Sequence, residues 1–419
     1  MKDRSVKIDR LLAKGVSIPS PDSVEIGDDV SSDRISGDGV TIHAGCKIYG
    51  TSTFIGRNVT IGREGPATIE DCQIGPKAYL GSGFFYNAVF LEGARAGSNA
   101  HVREGTIMEE GSSLAHTVGL KQTILFPYAT LGSMINFCDC LLAGGTGSKD
   151  HSEVGSSFVH FNYSPNQDKA TPSLFGDVPR GVMLRQRPIF LGGQGGAVGP
   201  IRLGFGSVTA AGSICRKDES GTGKLIIGKT LQGGSMEYTP GMYGNINRIV
   251  ANNINYIANL VALNRWYEEV RSQFVHSRTF PEALLSGLKE KIRLGVEERV
   301  KRFEELCDKM PFSIAMINRG SDRPSVLLEQ KQELFAKKEI ITELLLLLFK
   351  SEGGDERTKN AFLEGVNRAR EEQSVSYLAT IKSLPQADVN AGTVWLRSIV
   401  DFVVDRIGDV LPSFNLMLN

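Results

Sequence analysis

From residue 42 onward, aliphatic residues recur at intervals of six, and glycine often follows them. Ile42 and Ile48 start the series; Ile55-Gly56 and Ile61-Gly62, then Ile74-Gly75 and Leu80-Gly81, continue it. The spacing returns at Leu114 and Leu120, Leu125 and Leu131, and Val208 and Ile214. A helix repeats its buried face every ~3.6 residues and a simple strand every two, so neither produces this pattern. A period of six fits a solenoid whose triangular coil has three six-residue sides, each turning one aliphatic side chain inward and placing a small residue at the corner. Glycine suits the corner because the chain turns sharply there, in places with positive φ. Coils stack by parallel pairing, so each strand meets its backbone donors and acceptors in the coils above and below. Residues 1–235 are therefore expected to form a left-handed parallel β-helix of the hexapeptide-repeat kind.

Glycine also marks where that pattern ends. Of 47 glycines, 38 precede residue 244. The rest of the chain carries long charged and apolar periodicity instead, which points to helices. A linker is expected over 236–244, within the aperiodic stretch Thr230–Tyr243, and an all-α bundle of about five helices over 245–419. The first, Asn245–Phe274, carries Ile246, Ile249, Val250, Ile257, Leu260, Val261 and Trp266 at three- and four-residue spacings, with Asn253 and Asn264 close to that stripe. Others are expected at about 281–309, 325–351, 355–383 and 387–410, with loops at Ser321–Pro324, Gly353-Gly354 and Pro385.

Lys+Arg and Asp+Glu number 47 each, so charge gives no case for nucleic acid or membrane as partner. The first residues are charged and lack an apolar core, and Ile340–Phe349 is too short to span a bilayer, so a cytoplasmic location is expected. Six scattered cysteines suit reduced, buried thiols, and Cys138-x-Cys140 lacks zinc-finger spacing; no metal is expected. There is no G-x-x-x-x-G-K-[ST], and Gly192–Gly196 opens no helix. Polar residues instead crowd into Ala100–Gly212. Arg103, Lys121, Asn162, Tyr163 and Lys169 are spaced so that successive coils can bring several onto one edge, where cations and a carboxamide would suit a sugar phosphate.

These blocks carry a resemblance. LLAKGVSIPSPDSVEIGDDV (11–30), AHVREGTIMEEG (100–111), VGLKQT (118–123), HFNYSPNQDKATPSLFGDV (160–178), FLGGQGGAVGP (190–200) and GSVTAAGSI (206–214) resemble, in this order, one domain of a known enzyme family. It is the acetyltransferase domain of the bifunctional N-acetylglucosamine-1-phosphate uridyltransferase/glucosamine-1-phosphate acetyltransferase family. The resemblance covers roughly 11–230; the family's uridyltransferase domain has no counterpart, and the helical half matches nothing in that enzyme. In layout the chain is similar to proteins labelled uridyltransferase-related or UDP-N-acetylglucosamine pyrophosphorylase-related.

The resemblance implies an acyl-CoA-dependent N-acyltransferase, with acetyl-CoA or another acyl-CoA as donor and a phosphorylated amino sugar or nucleotide sugar as acceptor. It implies that Arg103 and Lys121 hold phosphate, that Asn162, Tyr163 and Lys169 contact the sugar, and that Asp139 falls on a family aspartate. It also implies that Ala210, Ala211 and Gly212 line the acyl-CoA site and that the chain is a homotrimer with sites between subunits. One correspondence breaks: the family's catalytic histidine, twelve residues after the phosphate lysine, aligns with Ser133. A serine of ordinary acidity cannot take the proton from an ammonium near neutral pH. Six extra residues between Asp139 and Asn162 bring His151 and His160, the expected replacement bases; His116 and His101 lie on neighbouring coils. The alternative is a non-catalytic phosphosugar- or nucleotide-sugar-binding or regulatory protein derived from that enzyme.

Overall fold

In the computed structural model, which describes residues 2–228, 233–235, 237–318, 325–373 and 376–417, the six-residue period becomes three parallel sheets wrapped around one axis. The expected loop at Ser321–Pro324, residue Thr230 and Met236 of the linker lie outside the described residues. Face I is ten-stranded, from Thr41–Ile42 to Leu225–Ile226; face II is ten-stranded, from Glu25–Ile26 to Ile214–Cys215; face III is eight-stranded, from Phe54–Ile55 to Arg202–Leu203. The chain visits I, II and III in turn, and every strand pairs in parallel with its counterpart one coil away. The second residue of each hexad pair fills the prism: Ile61, Leu80, Ala96 and Leu114 stack along face I, all buried. Several corners use asparagine or aspartate rather than glycine at positive φ, such as Asn58, Asn99 and Asp139. Those side chains tolerate the left-handed region better than other non-glycines do.

Helix α1 (Lys2–Lys14) closes the first coil, burying Leu11. Lys7 Nζ donates to the carbonyls of Gly27 (2.9 Å) and Asp28 (2.7 Å), so edge groups that would otherwise stand open are met. A one-turn helix, α2 (Val178–Gly181), follows the last long strand of face III, and Asp177 caps it through Arg180 N at 2.9 Å.

Face III differs from the other two. On face I the outward residue of each pair is half-exposed or exposed, as at Thr41, Thr60 and Tyr79. On face III the outward row, in register, reads Phe54, Gln73, Val89, Ile107, Ile124, Leu141 and Leu174 before ending in Arg202. From Gln73 to Leu174 this row is buried. Its cover is the helical half: α3 (Asn247–Glu269), α4 (Glu282–Cys307), α5 (Met310–Asn318), α6 (Ser325–Ala336), α7 (Lys338–Lys350), α8 (Glu356–Gln373), α9 (Tyr377–Ser383) and α10 (Gln386–Val410). That is eight helices among the described residues, where periodicity suggested about five; the expected segments 325–351 and 355–383 each divide in two, and Pro311 opens α5.

Helix α3 runs down face III from the late coils to the middle ones. Asn253 Nδ2 donates to Ala170 O (2.9 Å), Asn259 Oδ1 accepts from Val178 N (2.9 Å), and Tyr267 Oη donates to Glu109 Oε1 (2.6 Å). Asn253, beside the apolar stripe, and Asn259 thus bind backbone outside the helix. Helix α4 returns, with Gly287 against Gln73 and Arg299 against Asp139. All six cysteines are buried free thiols. No helix among the described residues is long and apolar enough to cross a membrane.

Candidate functional site

The corner between faces II and III gathers most of the expected substrate residues. Arg103 leaves the strand Ala100–Val102, Lys121 the strand Val118–Leu120, Asp139 follows Ile135–Asn136, and Asn162 leaves Val159–Phe161. The stacking is direct: Arg103 N donates to Leu120 O and Asp139 N to Lys121 O, both at 2.9 Å. One coil runs from Arg103 to Lys121 and the next to Asp139, and the pairing of Asn136 with Val159 puts Asn162 one coil further on, so the guanidinium, the ammonium and the carboxamide share one edge.

Each has a distinct setting there. Lys121 Nζ pairs with Glu104 Oε1 at 2.6 Å. Burial, the largest single influence, raises the Glu104 carboxyl, but hydrogen bonds from Lys121 and its own backbone and the Lys121 and Arg103 charges together hold it below its ordinary range. Arg103 reaches only the Cys138 sulfur, at 3.9 Å; its Nε is buried without a hydrogen-bond partner, and among the described residues no carboxylate lies within ion-pair distance. Asp139 is buried between two partners: Asn162 Nδ2 donates to it at 2.5 Å, and Arg299 of α4 pairs with it at 2.8 Å. Arg299 also donates to Lys169 O at 3.3 Å. Tyr163 and Lys169 are exposed on the loop that Asn162 opens. That loop is held by Lys309 Nζ on Asn166 O (2.9 Å) and by Tyr238 Oη on Pro165 O (2.9 Å).

The corner between faces I and II gathers the remainder. Ser133 lies there, and its hydroxyl is 2.8 Å from Nδ1 of His116 on the preceding coil. Ser156, one coil later, accepts from Ser133 N at 3.1 Å. Ala210, Ala211 and Gly212 turn the same corner further along; Gly212 N donates to Gly193 O at 2.9 Å. The aligned base position and the expected acyl-CoA turn therefore share one edge of face II, and the expected phosphate-binding residues occupy its opposite edge.

The two histidines of the insertion stand apart from both. His160 is inside the prism: Nδ1 is 2.7 Å from Cys138 O, Nε2 is 2.7 Å from Ser173 Oγ, and burial pushes its pKa down to about 4. An imidazole so enclosed has no path to a bound amine. His151 sits on a hairpin, Gly145–Gly147 with Asp150–His151, at the corner between faces III and I, its Nδ1 3.1 Å from Ser148 O. Among the described residues no group of three or more His, Cys, Asp or Glu could hold a metal ion.

The bifunctional protein GlmU of Thermotoga petrophila is 29% identical to this chain over 222 residues, 51% of this chain and 43% of that protein. About half of the chain is similar to GlmU proteins. GlmU of Kineococcus radiotolerans is 28% identical over 236 residues, 55% of this chain and 43% of that protein. The chain thus spans less than half the length of these GlmU relatives. Among solved structures, the polysialic acid O-acetyltransferase OatWY aligns with 53% of this chain and 88% of its own, at 14% identity and a TM-score of 0.15. No family model matches the chain.

Two participants were not found from sequence. Glu104 lies within the 100–111 block, but its pairing with Lys121 follows from the coil stack, which the sequence alone does not display. Arg299 comes from a helix 160 residues beyond Asp139, and only its place in a charged helical run was visible.

Proposed function

We propose that the protein is an acyl-CoA-dependent N-acyltransferase acting on an amino sugar phosphate or nucleotide sugar, with each site completed between copies of the chain. The observation that carries this reading is the division of face II. Arg103 and Lys121 stand on one edge, His116, Ser133 and the Ala210–Gly212 turn on the other. Two edges of one prism cannot close on a single small substrate, but the edge of one copy can meet the opposite edge of a neighbour, as in a cyclic homotrimer. Similarity to the GlmU proteins supports the class of reaction.

In this reading Arg103 binds the phosphoryl group, aided by Lys121, and the loop bearing Asn162, Tyr163 and Lys169 faces the sugar. The acyl-CoA lies along the Ala210–Gly212 edge. His116, one coil before the family's histidine position and joined to Ser133, replaces the base expected at His151 or His160. It accepts the proton of the sugar amine as the nitrogen attacks the thioester carbonyl; the N–C bond forms, the C–S bond breaks, and the proton leaves with the thiolate as free thiol.

The test is thiol release from acetyl-CoA with glucosamine 1-phosphate, using the full chain. Wild type turns over; Arg103→Ala raises KM at least tenfold; His116→Ala lowers kcat by ~10²–10⁴-fold near neutral pH. An unchanged rate in His116→Ala removes that base. The alternative, a phosphosugar-binding protein without turnover, draws on serine at the aligned histidine position; calorimetric binding of the sugar phosphate that Arg103→Ala abolishes, with no thiol released, would favour it.

A further inference from the structure

Beyond that site, the lower end of face III holds a second basic centre. A cavity of about 250 Å³ opens between the strand Arg202–Leu203, helix α2, and helices α3 and α10. Its wall carries three guanidiniums, Arg180, Arg202 and Arg397, and one carboxylate, Asp177. With side chains in their ordinary states the wall has a net charge of +2. Asp177 is already engaged: Arg180 grips it through Nε (2.8 Å) and Nη2 (2.5 Å), while Arg397 stands off at 3.6 Å. Arg180 is further fixed against the Phe205 ring, 4.9 Å from its centroid. Asp218, beside Arg202 in the chain fold, is taken up by Asn252 Nδ2 (3.1 Å), Arg202 N (3.0 Å) and Arg248 (3.8 Å).

Arg202 is the group left over. Its Nε is buried without a hydrogen-bond partner, and among the described residues no carboxylate lies within ion-pair distance of it. Burial works most strongly against its charge and Arg397 adds to that, while Asp218 and Asp177 offset part of it. A guanidinium keeps its proton under such conditions, so three guanidiniums line an open space against the one carboxylate of Asp177, which Arg180 grips and Arg397 shares at 3.6 Å. The positive excess leaves room for an anion.

We propose that this cavity is an anion site for a phosphoryl group, held between Arg202 and Arg397 with Arg180 as a fixed third donor. Guanidinium forks match the oxygens of a phosphoryl group, and two of them neutralise its dianion. The volume falls below the ~300–1,000 Å³ of pockets that take drug-sized ligands. It suits inorganic phosphate or the phosphoryl end of a small ester, not a whole nucleotide. Because the three arginines come from the solenoid, α2 and α10, occupancy ties the helical cover to the last coils.

Calorimetry on the full chain at low salt tests this with inorganic phosphate, glycerol 3-phosphate and malonate. Wild type is expected to bind one or both phosphates, the tighter one identifying free phosphate or ester as the source. Measured on the Arg103→Ala background, which removes the phosphate contact proposed on face II, Arg202→Gln and Arg397→Gln each weaken binding at least tenfold. Arg397 is half-exposed, so its variant decides the matter if Arg202→Gln fails to fold. No binding by wild type, equal affinity in Arg397→Gln, or malonate bound as tightly as phosphate overturns the assignment.

Discussion

At the scale of residues, the joint between solenoid and helices rests on buried charges. Asp139 has Arg299 and Asn162 as its side-chain partners; removing the cation leaves a carboxylate in the interior. Arg299→Met should cost about 3–5 kcal/mol in denaturant unfolding, and the double variant with Asp139→Leu should recover much of that loss. A second buried pair responds to pH. Burial, with the charge of Glu110 added, pushes Glu109 up to about 7 from an ordinary 4.5. Its folded value lies above its unfolded one, so the folded chain keeps a proton that the unfolded chain has released between those limits. Stability from this group is full below that window and is lost as pH rises through it. Glu109→Gln keeps an acceptor for the Tyr267 hydroxyl and removes the titration, so its thermal midpoint should fall less than that of wild type between pH 5 and pH 8. A midpoint that falls as steeply in the variant would place the pH sensitivity elsewhere. Arg103 and Lys121 were legible in sequence as neighbours on one edge because most coils are 16–19 residues long, while Asp139 was placed only by the resemblance. Arg299 and Tyr267 were not legible, since nothing local ties a helix to the coil it will touch.

At the scale of elements, the solenoid was readable because its period is short and repeated, whereas helix boundaries depended on packing. Lys337 interrupts an apolar run that reads as one helix, and its ammonium donates to Val410 O (2.6 Å) at the end of α10. The direction of the helical cover is written in the sequence: from Thr41 to Glu153 the outward position of face I is polar or aromatic-polar, whereas from Val89 to Leu174 that of face III is apolar. Contact between α4 and that face is close at Gly287, where an added Cβ would lie 2.6 Å from Gln73 Oε1. Gln73 cannot simply swing aside, because its amide donates to Ser52 O at 2.9 Å. Gly287→Val should therefore lower stability by about 1–3 kcal/mol and speed amide exchange in α4 and along Val89–Met108. Unaltered exchange there would mean the helix does not seat on this face in solution.

At the scale of the molecule, the covered face leaves I and II, with the edge between them, for contacts between copies. If the catalytic reading holds, light scattering should give three chains per particle, and at low substrate Arg103→Ala mixed with His116→Ala subunits should show more activity than either alone. Failure of that complementation would confine each site to one chain. The helices also act as a gauge. Close packing at Gln73, the Arg299–Asp139 ion pair and the Asn259–Val178 hydrogen bond tie α3 and α4 to particular rungs. An extra rung inserted anywhere between them would slide its anchors by one strand spacing, ~4.8 Å, with no matching slip available in a rigid helix. Ordinary solenoids can grow or shrink one rung at a time; this one can do so only beyond the ends of its brace.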